Sequence, residues 1–299
     1  RSTSSAASDV YKRQIFMMLS MACFAIEDTF IKLLSIRLPA TQILFSIGFG
    51  GALITLVLAV LLNVNLIDKI LINKHVVSRT IADLFGALSF TSAMVLIPMS
   101  LLASILQATP LFVTLGAAIL LGEKVGWRRW SAILIGFLGV LIILQPGYGS
   151  FQLASLLGLA AVLCLALRDV VTRDMATEIP TLTVTFYACL AMGSAGFIAY
   201  PFFGPPIMPT IYETSILTCA AIIGLTGYFL LVLATRKGDV SVIAPFRYSR
   251  LLFSLCMASL ILGEQLTLPI LFGGLLVVGS GIYTFGRERR LAIEQNTLK

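Results

Sequence analysis

SLLASILQATPLFVTLGAAILLGE, residues 100–123, and SVIAPFRYSRLLFSLCMASLILGE, residues 241–264, superimpose without a gap when the chain is shifted by 141 positions. Ser100 meets Ser241, Ala103 meets Ala244, Leu111 and Phe112 meet Leu252 and Phe253, Ala117 meets Ala258, and Leu121-Gly122-Glu123 meets Leu262-Gly263-Glu264. The chain reads as a duplication. A window of about 20 residues, the length of helix that crosses about 30 Å of hydrocarbon, finds apolar runs near 15–36, 41–62, 76–97, 99–121, 128–144, 152–172, 181–203, 212–234, 240–262 and 266–286. The two quoted stretches fill the fourth and ninth of these ten spans. Each copy holds five spans, an odd number, so the shared Leu-Gly-Glu turn faces one side of the membrane in the first copy and the other side in the second. The expected fold is an all-α integral membrane protein: ten transmembrane helices as two inverted five-helix repeats.

Composition agrees. Of 299 residues, 58% are hydrophobic and 12% charged, about half the charged share of a soluble domain. Pro39, Pro98, Gln145-Pro146-Gly147 and Gly204-Pro205-Pro206 punctuate the span boundaries. With the amino terminus in the cytoplasm, the inside loops hold Lys69, Lys74, Arg79, Lys124, Arg128, Arg129, Arg173, Arg236 and Lys237, and the tail holds Arg287, Arg289, Arg290 and Lys299. The outside loops hold only Arg37. The positive-inside rule therefore places the protein as a multi-pass protein of the cytoplasmic (inner) membrane with both termini cytoplasmic. The same distribution explains the net charge of +7 without nucleic acid, because the cations lie in short loops rather than in one basic, aromatic-interleaved face.

Residues 1–14, RSTSSAASDVYKRQ, are polar and Ser-rich, and read as a non-native or disordered leader. A signal peptide fits less well, because Glu27 and Asp28 interrupt the run that follows. The first repeat is expected over 15–144, the second over 152–286, and a cytoplasmic tail over 287–299. Cys23, Cys164, Cys189, Cys219 and Cys256 lie inside apolar runs with no CxxC pair, and His75 lies in a loop beside Lys74. Neither a metal site nor a cofactor is expected.

The segments from Pro110 to Leu144 and from Pro245 to Arg287 resemble the paired EamA-type repeats of the drug/metabolite transporter superfamily. The resemblance covers essentially all of residues 15–290. Phe246-Arg247-Tyr248-Ser249-Arg250 with the ending Gly279-Ser280-Gly281-Ile282-Tyr283 resembles the branch that contains S-adenosylmethionine-like and riboflavin-like uptake carriers. The resemblance implies a secondary transporter of a small metabolite, an amino-acid-like, nucleoside-like or vitamin-like solute, with a central cavity lined by spans one, three, four, six, eight and nine. Inverted repeats are a known route to alternating access.

A charge at the bilayer centre costs at least about 2.5 to 3.5 kcal/mol on insertion scales, so each one needs a partner, water or a function. Glu27, Asp28 and Lys32 lie in span one, Asp83 in span three, Arg168 and Asp169 in span six, and Arg247 and Arg250 in span nine. Asp28 and Lys32, four residues apart, are placed to neutralise each other. Asp83, Arg168 and Asp169 lie toward the cytoplasmic ends of their spans and can snorkel to water. Arg247 and Arg250 share a helix face. Either they bind an anionic or aromatic solute beside Tyr248, or they pair with Asp28 or Glu27 across the cavity, and a gate can use both arrangements. Gln107 and Thr109 match Tyr248 and Arg250 in the repeat, which places all four at one depth. The expected solute contacts are Asp28, Gln107, Arg247, Tyr248 and Arg250. The expected coupling or gating residues are Glu27, Asp28, Lys32, Arg168 and Asp169. If a proton is coupled, Glu27 or Asp28 carries it.

Tyr187 and Tyr228 are candidate aromatic walls, and Pro110 and Pro245 candidate kinks. Gly116, Gly122, Gly136, Gly139, Gly273, Gly274, Gly279 and Gly281 are read as close-approach sites. Glu123 and Glu264 sit at helix ends and read as hinges or caps. The absence of a phosphate loop, an HExxH or a membrane histidine argues against ATP coupling and against an intramembrane enzyme. The remaining alternative is a non-transporting sensor or scaffold, which ordinarily requires an output domain. The partners expected are a small solute and the lipid bilayer.

Overall fold

A computed structural model describes residues 3–66, 74–120, 126–145, 152–173, 180–202, 205–235 and 244–297. The helices are α1 (Thr3–Leu34), α2 (Ala40–Leu61), α3 (Lys74–Leu96), α4 (Met99–Leu106), α5 (Thr109–Leu120), α6 (Trp127–Leu144), α7 (Ser155–Arg173), α8 (Thr181–Ala199), α9 (Ile211–Thr235), α10 (Ser249–Leu260) and α11 (Leu268–Thr297). Helices α4 and α5 together form the fourth span. The ninth is a 3-10 segment, Ala244–Tyr248, continued by α10. The architecture is therefore all-helical, with ten spans.

Proline sets where several helices begin. Pro39, Pro98 and Pro180 precede α2, α4 and α8 with φ of −60°, −56° and −57° and extended ψ, a geometry that fixes the entry and needs no N–H. Turns end at Asn63 and Gln145 in the left-handed region and at Gly263 with φ of 66°, where glycine carries no steric cost. The helices also extend into polar segments. Helix α1 starts at Thr3, inside the stretch read as a leader, because no Pro or Gly interrupts residues 3–14. For the same reason α11 continues through the expected tail to Thr297. Lys74 and His75 form the first turn of α3 rather than a loop, a polar extension of the apolar run.

Among the described residues six spans are long and apolar enough to cross a membrane by length and composition: Tyr11–Leu34, Ala40–Leu61, Val77–Leu96, Met99–Leu120, Thr181–Ala199 and Ile211–Leu231. Trp130–Leu144 and Leu268–Tyr283 are shorter apolar helices. The remaining two are the sixth, which carries Arg168, Asp169 and Arg173, and the ninth, whose α-helix begins only at Ser249. Large apolar side chains such as Leu53, Val57, Val60, Leu134, Phe137, Phe197 and Phe272 face outward, as lipid contact requires.

The helix pairings have two-fold character. The most extensive contacts join α2 to α8, α1 to α9, α3 to α7, and α6 to α11. Exchanging the halves, span one for six, two for seven and so on, converts α1·α9 into α3·α7 and returns α2·α8 and α6·α11 to themselves. Both self-related pairs close on glycine. At Gly48 a methyl group would overlap the backbone of Gly193, and at Gly139 and Gly273 each would lie 2.6–2.8 Å from the other's carbonyl oxygen. Such approach lets helices pack in lipid, where no hydrophobic drive separates helix from solvent. Gly139 and Gly273 were expected to act so, whereas Gly48 and Gly193 were not singled out. At Gly279 no atom lies within 4 Å of an added methyl, so it is not a close-approach site. Gly122 lies outside the described residues.

Ten spans put both chain ends on one side, here the terminal end; the connections at 35–39, 97–98, 205–210 and 261–267 mark the far end. Among the described residues, the large side chains with under 2% exposure concentrate toward the far end: Leu34, Leu38, Ile43, Leu44, Met94, Ile97, Met99, Leu102, Ile105 and Val140. Met17 is the exception.

Candidate functional site

The central helices break at matching places. In the fourth span α4 stops at Leu106 and α5 starts at Thr109; in the ninth the 3-10 segment passes into α10 between Tyr248 and Ser249. The repeat equates Gln107-Ala108 with Tyr248-Ser249. Pro110 has no N–H to give the Leu106 carbonyl, and the Thr109 hydroxyl donates to that oxygen instead at 2.7 Å. The Ser249 hydroxyl likewise donates to the Phe246 carbonyl at 2.7 Å. The expected kink is thus displaced to the residues before Pro110, and its freed acceptor is satisfied within the helix.

The break in the ninth span brings Arg250 into the first turn of α10, facing α1. Its Nη2 donates to both Asp28 carboxylate oxygens, at 3.0 and 2.8 Å, and its Nε lies 3.3 Å from one of them. The guanidinium lies 5.3 Å from the Phe24 ring centroid and 6.0 Å from that of Phe90, a spacing at which the ring faces attract a cation. Asp28 is buried, while the Arg250 side chain remains 24% exposed. Of the alternatives for Arg250, this conformation adopts the pair with Asp28, which joins the two halves.

A chain of charges runs through spans three, six and nine. Arg79 lies 3.6 Å from Asp83, Asp83 lies 3.5 Å from Arg168, Arg168 lies 2.8 Å from Asp169, and Asp169 lies 3.7 Å from Arg247. Asp83, Arg168 and Asp169, read as able to snorkel, are also paired with one another: opposite charges on neighbouring helices lower the cost of staying inside. Arg79, read as a loop cation, is buried and paired with the residue four positions on. That i, i+4 spacing was the available signal. Arg247 is the most open member, with 38% of its side chain exposed.

The remaining expectations separate. Lys32 does not neutralise Asp28; its Nζ donates to the carbonyls of Met94 and Ile97 at 2.8 and 2.7 Å, at the end of α3. Tyr248 is brought to the right helix but not to Arg250's partner: its hydroxyl is buried against Gly281 and without a hydrogen bond among the described residues. Gln107 is buried and reaches back along its own helix to the Ala103 carbonyl at 3.5 Å. Tyr187 donates to the Leu66 carbonyl at 3.0 Å, so its hydroxyl serves a turn. Phe24 and Phe90 were missed, because aromatics in apolar helices are too common to mark a site.

Polar bonds also tie the halves at the far end. The Glu264 carboxylate accepts from the Met99 and Ser100 backbone N–H groups at 2.7 and 2.9 Å and from the Ser100 hydroxyl at 2.6 Å. It thereby caps α4, supplying the acceptor that Pro98 at the N-cap lacks. Gln42 exchanges two hydrogen bonds with the Ile207 backbone, at 2.6 and 2.9 Å. Arg37 pairs with Glu213 and donates to the Met208 carbonyl at 2.9 Å. Glu264 is a cap, as expected, but of a helix in the other half. Glu123 lies outside the described residues. Among the described residues no cluster of His, Cys, Asp or Glu is arranged to hold a metal.

Curated transporters resemble this chain, among them the following three. The S-adenosylmethionine uptake transporter of Rickettsia bellii is 24% identical over 92% of this chain and 94% of its own length. A pseudopaline exporter of Pseudomonas aeruginosa is 25% identical over 90% and 95%. A riboflavin transporter of Vibrio cholerae is 29% identical over 54% and 53%. One solved crystal structure aligns with 97% of this chain and 99% of its own at a TM-score of 0.57 and 21% identity, which establishes a common fold. The EamA-like transporter family matches twice, over residues 12–145 and 152–285, once for each half of the duplication. A membrane-embedded, internally duplicated chain with polar contacts between its halves thus belongs to the EamA-like transporter family.

Proposed function

We propose that this protein carries a small metabolite across the cytoplasmic membrane by alternating access, with the terminal end in the cytoplasm. The observation that carries this reading is the Asp28–Arg250 pair. It sits inside the bundle, joins one half to the other, and is flanked by aromatic rings. A solute with an anionic group can replace Asp28 on the guanidinium, bidentate as the carboxylate is now, and the halves then separate at this point. Arg247, the open end of the charge chain, offers a second contact. Gln107 and Tyr248 would join the site only if their helices turned at the breaks beside them. Lys32, Arg168 and Asp169 hold the surrounding spans in register, and exchange partners as the halves rock.

The uptake and export names of the relatives support a small organic solute rather than an inorganic ion. The cation-rich loops support the orientation. The far-end bonds of Glu264, Gln42 and Arg37, with the packed apolar layer beneath them, support a state closed at the outer face. Reconstituted protein should move a solute from a panel that includes S-adenosylmethionine and riboflavin, and Arg250→Ala should reduce that flux at least about tenfold. A protein that binds a solute and never moves it would leave the sensor reading standing instead.

A further inference from the structure

Glu27 stands apart from the other carboxylates described inside and around the bundle. Asp28, Asp83, Asp169, Glu213 and Glu264 each have an ion pair or hydrogen bonds. Among the described residues Glu27 has neither, although it lies on α1 next to Asp28 and within electrostatic range of Arg250. It is partly accessible while its neighbours Ala25, Asp28 and Thr29 are buried. Its seat is specific. A methyl group at Gly224 of α9 would collide with the Glu27 carboxylate, so the missing side chain makes the room it occupies. An unpaired carboxylate inside a membrane protein is costly, and the cost is offset when a cation comes to it.

We infer that Glu27 is the anchor for a cationic group of the transported solute, an ammonium or sulfonium centre. Phe24, one turn before Glu27 on α1, and Phe90 lie 5.3 and 6.0 Å from the Arg250 guanidinium, and such ring faces attract a cation. The solute class is then one that carries a positive centre beside the anionic or aromatic part directed to Arg250. The inference rests on the carrier reading and narrows it.

The test measures equilibrium binding and counterflow exchange in proteoliposomes for wild type, Glu27→Gln and Glu27→Asp, with S-adenosylmethionine as the cation-bearing probe and riboflavin as the uncharged one. Glu27→Gln should weaken binding of the cation-bearing solute at least tenfold, Glu27→Asp by less. If Glu27→Gln does not insert, Gly224→Ala, which keeps the carboxylate but displaces it, should give the same loss. Binding unchanged in Glu27→Gln, or a wild type that prefers the uncharged probe, overturns the inference while leaving the carrier reading intact. Unchanged binding with loss only of pH-driven accumulation overturns it too and assigns the carboxylate to a coupled proton. A wild type that exchanges neither probe nor any other solute of the panel defeats the carrier reading itself.

Discussion

Arg250 has two duties that can be separated. Removing it leaves Asp28 buried and unpaired, at a cost of about 3–5 kcal/mol, so Arg250→Ala should lower the melting temperature in detergent as well as the flux. The double variant Asp28→Asn with Arg250→Gln should recover most of the melting temperature and none of the flux. Recovery of both would make the pair a structural tie. Arg250→Lys keeps the charge but loses the fork and should fall between. At this scale the sequence was partly legible. It marked Asp28 and Arg250 because a charge in an apolar run stands out. It could not mark which partner each would take, since Asp28 had Lys32 one turn away and chose a residue 222 positions distant. Tyr248 illustrates the reverse failure, because Arg250, two positions on, faces α1 while Tyr248 faces α11.

Among the elements, the broken fourth and ninth spans carry most of the functional design. Thr109→Val would remove the hydroxyl that donates to the Leu106 carbonyl beside Pro110, at roughly 1–3 kcal/mol. Pro110→Ala would supply the missing N–H and straighten the span. Both should reduce flux with little effect on insertion, and the pair together should reduce it no further than Pro110→Ala alone if the break is what matters. Glu264→Ala should loosen the cap on α4. In a background without native cysteines, Ser100→Cys should then react several times faster with a membrane-impermeant thiol reagent added from outside. An unchanged rate would deny Glu264 any part in closing that face. The repeat shift matched Gln107 with Tyr248, but the sequence put the candidate kinks at Pro110 and Pro245 rather than at the breaks themselves, and Glu264's partner was not readable, because a cap in one half is supplied by the other.

For the whole molecule, duplication with an odd number of spans was legible at once, and the pairing α1·α9 with α3·α7 follows from it. The state was not legible, since both states use the same sequence and differ only in which end is bonded. A bifunctional thiol cross-linker joining Gln42→Cys to Ile207→Cys should stop flux, and cleavage of the linker should restore it; flux that persists while linked would rule out opening at that end. The contacts of Gly48 with Gly193 and of Gly139 with Gly273 both lie toward the far end of their helices. If the halves rock, these backbones must part company once per cycle, so the glycines are a clasp rather than an axle. A single methyl group at Gly193 is then a spacer: it should leave the chain folded yet hold the outer mouth ajar, turning a residue with no chemistry into the setting of the resting equilibrium.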